Sequence, residues 1–307
     1  MKNVCKIIAF VAASVLFSAC MSTTAGGSVG ADRSQVMLIS EAEMNQQAES
    51  SYAEVLAEAK KNKTLNPDAA TTNRVRNIAN RLIAQCGAFR TDALNWNWQV
   101  NVIKEDTINA WCMPGGKIVV YTGIIDSLKL TDGELAAIMG HEISHALKEH
   151  SREQASKQAL SSIGVSVIAE IAGLGDLGYT VLALGAQYGL TLPFSRKCET
   201  EADNMGTELM ARAGYDPHEA INVWNKMNAL GGSSTPQILS THPSNDSRIK
   251  NLTEIAETVY PLYQTPVENN RYSRKAEVFR GSQPQFALTV PFRLKGGGYF
   301  FFFFLLL

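Results

Sequence analysis

No surplus of charge marks this chain: 28 Lys and Arg stand against 29 Asp and Glu in 307 residues, a net of −1. A broad basic field that would draw phosphate backbones is therefore absent, and nucleic acid is excluded as a partner. Long apolar runs are scarce as well. The run from Ile7 to Phe17 is well short of the ~20 residues a spanning helix needs. Between residues 161 and 193, the most apolar stretch of the body, Gly164, Glu170, Gly173, Gly175, Asp176 and Gly178 intervene, so buried or membrane-surface helices are expected there and not a span. No repeat at solenoid period is visible. Histidine is rare, five in the whole chain, so a patterned pair of them carries weight. What is present, 45% hydrophobic and 19% charged residues, suits one compact domain with short tails and a sizeable core.

The two ends read differently from the body. Met-Lys-Asn-Val-Cys-Lys precedes the first apolar run, and Ser18-Ala19-Cys20 follows it: a positive start, a short greasy centre and small residues before a cut, which is an export signal. Cys20 after Ser18-Ala19 resembles a bacterial lipobox, although Phe17 stands where Leu is usual. Residues 1–19 are thus expected to be a signal peptide, and 20–39, rich in Ser, Thr and Gly, a lipidated flexible tether. Met21 after the cysteine points to the periplasmic side of the outer membrane. Cys86, Cys112 and Cys198 would lie in a compartment that permits disulfides, with three single pairings or three free buried thiols all open. Residues 263–307 form a C-terminal tail; its last stretch, Gly296-Gly297-Gly298-Tyr299 followed by five Phe and three Leu, has no alternation of either kind and is set aside as an artefact.

Within the domain, 40–262, helical spacing recurs from Ser40 to Lys61 and again from Asn66 to Cys86. The period then changes. Trp96, Trp98, Val100 and Val102 alternate with polar residues, and Lys117 to Tyr121 is β-branched and aromatic, so two or three strands are expected, with a turn at Pro114-Gly115-Gly116. Thr131 or Asp132 caps one long helix running through His141 to about Ala159, and further helices are expected at 196–213, 216–230 and 245–259.

His141-Glu142-Ile143-Ser144-His145 is the strongest feature. At about 100° per residue, the two histidines stand roughly 40° apart and one turn apart, so both imidazoles can reach one metal ion. Glu142 lies close enough to act as general base without becoming a ligand. Zinc needs a third protein ligand and one open position. Lys148 and Ser151 stand where a metzincin would continue with glycine and a third histidine, which excludes that class. His150 is turned about 180° from His141 and reads as a surface or core histidine. The better candidate is downstream, in Glu199-Thr200-Glu201-Ala202-Asp203: Glu199 and Asp203 share one helical face, the first to bind metal and the second to orient a ligand histidine, while Glu201 points elsewhere.

Gly140-His141-Glu142-Ile143-Ser144-His145, then Ser195-Arg196 leading into Glu199, Glu201, Ala202, Asp203 and Gly206, and upstream Asn109-Ala110 with Pro114-Gly115-Gly116, resemble the gluzincin peptidase family M forty-eight. The resemblance runs from about Ser40 to Val259 and is nearest to the periplasmic lipoprotein metalloproteases of that family, the LoiP type. It implies that Glu199 is the third ligand of a single Zn2+ per chain, and that the strand from Asn109 and Ala110 to Met113 is an active-site edge that pairs with extended substrate. It also implies that Thr241-His242-Pro243 and Arg248 form a downstream element: His242 is a fourth metal ligand in a latent state, a stabiliser of the oxyanion, or part of a helix start.

An α+β, mostly helical, zincin-like metalloprotease domain with a small edge sheet is therefore expected. Its function would be zinc-dependent hydrolysis of internal peptide bonds in unfolded or misassembled envelope proteins, with the membrane reached through the lipid and other envelope proteins as further partners. The alternatives are an outer-membrane assembly scaffold that holds client strands and rarely cuts, and a metal-binding protein without hydrolytic chemistry.

Overall fold

A computed structural model describes residues 20–171, 194–230, 237–242 and 246–265. The signal peptide, most of the apolar 161–193 region and nearly all of the C-terminal tail lie outside the described residues.

Helix α1 (Glu41–Lys61) starts at Ser40 with a capping box: the Ser40 hydroxyl accepts from the Glu43 N–H, and the Glu43 carboxylate accepts from the Ser40 N–H. Asp68 caps α2 (Ala69–Ile83). A three-stranded sheet follows, made of β3 (Gln99–Ile103), β4 (Ala110–Met113) and β5 (Lys117–Tyr121), numbered after a two-residue pair β1 (Cys20–Met21) and β2 (Gln35–Val36). The order is β3-β5-β4, with β5 parallel to β3 and antiparallel to β4. Among the described residues β4 has no second neighbour, so its outer edge offers unpaired backbone N–H and C=O groups.

After a short α3 (Thr122–Leu128), Thr131 and Glu134 form the capping box of α4 (Asp132–Leu147), which carries the His-Glu-x-x-His pattern. Every residue of α4 from Glu134 to Leu147 is buried. Such burial is available only to a central helix, and α4 packs on β4, on α2, and above all on α6 (Arg196–Arg212), capped by Ser195. Leu135, Met139, Ile143 and Leu147 meet Met205 and Leu209 in one core, each fully buried apolar side chain contributing about 1.5–3 kcal/mol. Where α4 crosses α6, Gly140 and Gly206 face each other: a β-carbon on Gly206 would lie 2.7 Å from the His141 amide nitrogen. The two backbones touch directly at the level of the histidines. Helices α7 (Glu219–Ala229), α8 (Gln237–Thr241) and α9 (Asp246–Tyr263) complete the body, α9 lying against α6.

Two expectations change. The single long helix through residue 159 is two: α4 ends at Lys148, Glu149 takes a left-handed conformation (φ 52°), and α5 (His150–Ile171) starts anew. No glycine announces this break. The Glu149 carboxylate is gripped instead by Arg90 at 2.6 Å and Arg152 at 2.5 Å, contacts from outside the helix. Nor is 20–39 a flexible tether over its described length. Buried Lys148 donates to the carbonyls of Ala31 (2.8 Å) and Arg33 (2.9 Å), Gln35 donates to the Lys148 carbonyl (2.8 Å), and the Leu38 and Ile39 amides donate to Ser156 Oγ. Ala31, Gln35 and Met37 are buried by this docking. Cys86, Cys112 and Cys198 are free and buried.

Candidate metal centre

Helix α4 projects His141 and His145 to one side, and their Nε2 atoms lie 3.1 Å apart. From α6, one turn inside the Ser195 cap, the Glu199 carboxylate reaches 3.5 Å from each of those nitrogens. His242, just after α8, closes the group: its Nδ1 is 3.2 Å from His141 Nε2 and 3.0 Å from Glu199 Oε1. All four residues are buried. A tetrahedral zinc with ligands at 2.0–2.1 Å requires donor atoms about 3.3 Å apart, and these spacings are of that size. Three nitrogens and a carboxylate oxygen are donors that zinc accepts, so the residues fit the ion.

The surroundings hold the donors in place. Asp203, one turn beyond Glu199, accepts from His141 Nδ1 at 2.9 Å and so turns Nε2 inward. Buried Arg248 from α9 donates to Asp203 Oδ1 at 2.7 Å and to Glu199 Oε2 at 3.3 Å, with its guanidinium 3.3 Å from the ring centre of Trp224. Phe194 stacks on His145, ring centres 4.2 Å apart. Burial alone would lower the His141 pKa, but Asp203 and Glu199 outweigh it and push it up to about 9. Burial likewise pushes the Glu199 carboxyl up, yet hydrogen bonds with His141 and His242 hold it well below the usual range, ready as an anionic donor.

Glu142 is not part of the donor group. Its Oε1 is buried without a hydrogen-bond partner, 3.4 Å from His242 Nε2, and burial raises its pKa against the opposing pull of His242 and His141. A carboxylate so placed is available for proton transfer. It opens on a cavity of about 220 Å3 lined by Asn109, Ala110, His145, Phe194 and His242. Asn109 and Ala110, the expected substrate edge, therefore lie on the same cavity as the base.

His141, Glu142, His145, Glu199, Asp203, His242 and Arg248 thus gather at one place, with Asn109 and Ala110 on its cavity, while Pro243 and the Cys20 side chain lie outside the described residues. His150 is a core histidine, one of the two alternatives expected, and Glu201 stays outside the donor group; what the helical projection does not foresee is that the two meet directly behind His145. His150 Nδ1 lies 2.9 Å from His145 Nδ1, and its Nε2 lies 3.1 Å from Glu201 Oε2. Helical projection failed because the break at Glu149 swings His150 back over α4. Phe194 and Trp224 were missed as well; a lone aromatic outside the motifs gives no signal.

Residues 69–256 match Peptidase family M48. Among the relatives, the mitochondrial metalloendopeptidase OMA1 of Arabidopsis thaliana is 41% identical over 170 residues, covering 55% of this chain and 34% of that one. Mitochondrial metalloendopeptidase OMA1 of Schizosaccharomyces pombe is 37% identical over 210 residues, covering 67% and 59%. The β-barrel assembly-enhancing protease of Escherichia coli is 28% identical over 209 residues, covering 64% and 41%. The chain therefore spans less than two thirds of the length of these relatives. Because the matched span takes in the edge strand, both helices that bring ligands together and the arginine behind them, the chain belongs to Peptidase family M48.

Proposed function

We propose that this chain is a zinc-dependent metalloendopeptidase of the bacterial envelope that cleaves unfolded or misassembled polypeptides. The observation that carries the reading is the placement of an unpartnered, buried Glu142 oxygen beside the four-donor group and on the cavity of the free β4 edge. Bound zinc would supply Lewis acidity at the scissile carbonyl. Glu142 takes a proton from the attacking water and passes it to the leaving amine. The β4 edge pairs with extended substrate backbone, which selects for unfolded segments because folded ones have no free strand to offer. Phe194 covers one face of the His145 ring. Envelope substrates are supported by the bacterial relative from Escherichia coli, a β-barrel assembly-enhancing protease. Cleavage of an unfolded casein-type polypeptide, abolished by chelation and restored by zinc, tests the activity; metal uptake with no cleavage would leave only a binding protein.

His242 sets the state of the enzyme. A catalytic zinc site keeps one position open, and here His242 Nδ1 stands as a fourth donor. The geometry supports latency: His242→Ala is expected to raise the rate of polypeptide cleavage at unchanged zinc content. A lower rate would assign His242 to the oxyanion instead.

The export signal and Cys20 support a lipid-anchored protein on the periplasmic side of the outer membrane. In cells, Cys20→Ser should move the protein from the membrane fraction to the soluble periplasm. If it stays with the membrane, the lipid anchor is wrong.

A further inference from the structure

His150 is fully buried and has no part in the chemistry above. Its two contacts constrain its protons. For His145 to present Nε2 as a ligand atom, its proton must sit on Nδ1. The 2.9 Å contact is then His145 Nδ1–H donating to His150 Nδ1, and His150 Nε2–H donates to Glu201 across 3.1 Å. The chain continues: Arg33 Nη2 donates to Glu201 Oε2 at 2.7 Å, and the other face of the guanidinium is held by Glu153 at 2.7 and 2.8 Å. Lys157 Nζ at 2.5 Å and Gln35 Nε2 at 2.7 Å complete the donors to Glu153, so the carboxylate at this end of the chain is itself held from three sides. The two ligand imidazoles are thus served differently. His141 has a carboxylate directly behind it, Asp203, whereas His145 reaches its carboxylate through a second imidazole.

We propose that His150, held by Glu201 and Arg33, is the positioning residue for His145: it fixes the tautomer and ring orientation that aim His145 Nε2 at the metal. The proposal rests on the metal-centre reading given above. It also gives the segment ahead of α1 a task, because Arg33 lies in it and docks on the same chain of contacts. His150, Glu153 and Cys198 themselves bring donor atoms within 4.8 Å of one another. A second cation is not favoured there, since the Arg33 guanidinium already sits on Glu153 and both nitrogens of His150 are engaged.

Zinc affinity of the full chain, measured by competition with a chromophoric chelator, tests this without recourse to activity. His150→Leu should bind zinc about 10–100-fold more weakly than the wild type, the usual cost of losing such an outer partner, while the metal-free protein keeps its circular dichroism. His150→Asn, which returns an acceptor oxygen near the Nδ1 position, should recover most of that loss. Arg33→Met, at the far end of the chain of contacts, should weaken binding in the same direction and serves as the reading if His150→Leu does not fold. Unchanged affinity in His150→Leu, or in Arg33→Met where that stands in, overturns the proposal, as does a His150→Asn variant as weak as His150→Leu, which would mean packing alone. His145→Ala separates the two levels: if it too keeps wild-type affinity, the metal centre is misplaced and not merely its support.

Discussion

Replacing Glu142 by glutamine is expected to leave zinc bound and to lower peptide hydrolysis by at least about 100-fold, the range in which a positioned general base contributes. The substitution preserves shape and removes only basicity. Because Glu142 Oε1 has no hydrogen-bond partner and the residue stands outside the donor group, the folded protein loses no hydrogen bond at that oxygen and no ligand, only the charge 3.4 Å from His242 Nε2. Stability and metal content should therefore match the wild type, and the variant should still hold unfolded polypeptide on the β4 edge. Single-turnover cleavage alongside metal analysis checks this. Full activity in Glu142→Gln would remove the base from the mechanism and favour a protein that holds its clients without cutting them.

The second large effect concerns Glu199, where two losses coincide. Glu199→Ala deletes a ligand oxygen and also deprives buried Arg248 of one of its two carboxylates. Breaking a buried pair costs about 3–5 kcal/mol; with Asp203 still bonded to the guanidinium at 2.7 Å, the lower end is expected for the metal-free protein. Zinc should no longer copurify. Equilibrium unfolding of the metal-free forms, run beside chelator competition, reads the two losses separately. A Glu199→Ala variant with wild-type zinc affinity would break the assignment of the third ligand.

Much of the centre could be read from the chain because its parts obey local rules. A helical repeat fixes how His141 and His145 relate, the Thr131–Glu134 box fixes where α4 starts, and Glu199 with Asp203 repeats the same one-turn spacing on α6. β3 declared itself by alternation and β5 by its β-branched and aromatic content, whereas β4 was reached only through the family resemblance. What could not be read is held by contacts made at long range. Glu149 adopts a left-handed backbone without glycine where Arg90, 59 residues upstream, grips its carboxylate, and that single break decides where His150 goes. Residues 20–39 have the composition of a linker, yet the buried Lys148 ammonium needs acceptors that its own helix does not provide, and it finds them on Ala31 and Arg33. Composition speaks for an isolated segment; it is silent on a partner more than a hundred residues away.

The glycine contact between α4 and α6 has a bearing on when the enzyme comes alive. His141 and Asp203 are 62 residues apart, and they meet only once two main chains have come together with no side chain between them. Until α6 has docked on α4, the chain carries the histidine pair without Glu199 and Asp203 beside it, and the ion has only part of its cage. Assembly of the centre is thus tied to assembly of the fold: a substitution that parts the two glycines, such as Gly206→Ala, is expected to remove metal binding without touching a ligand.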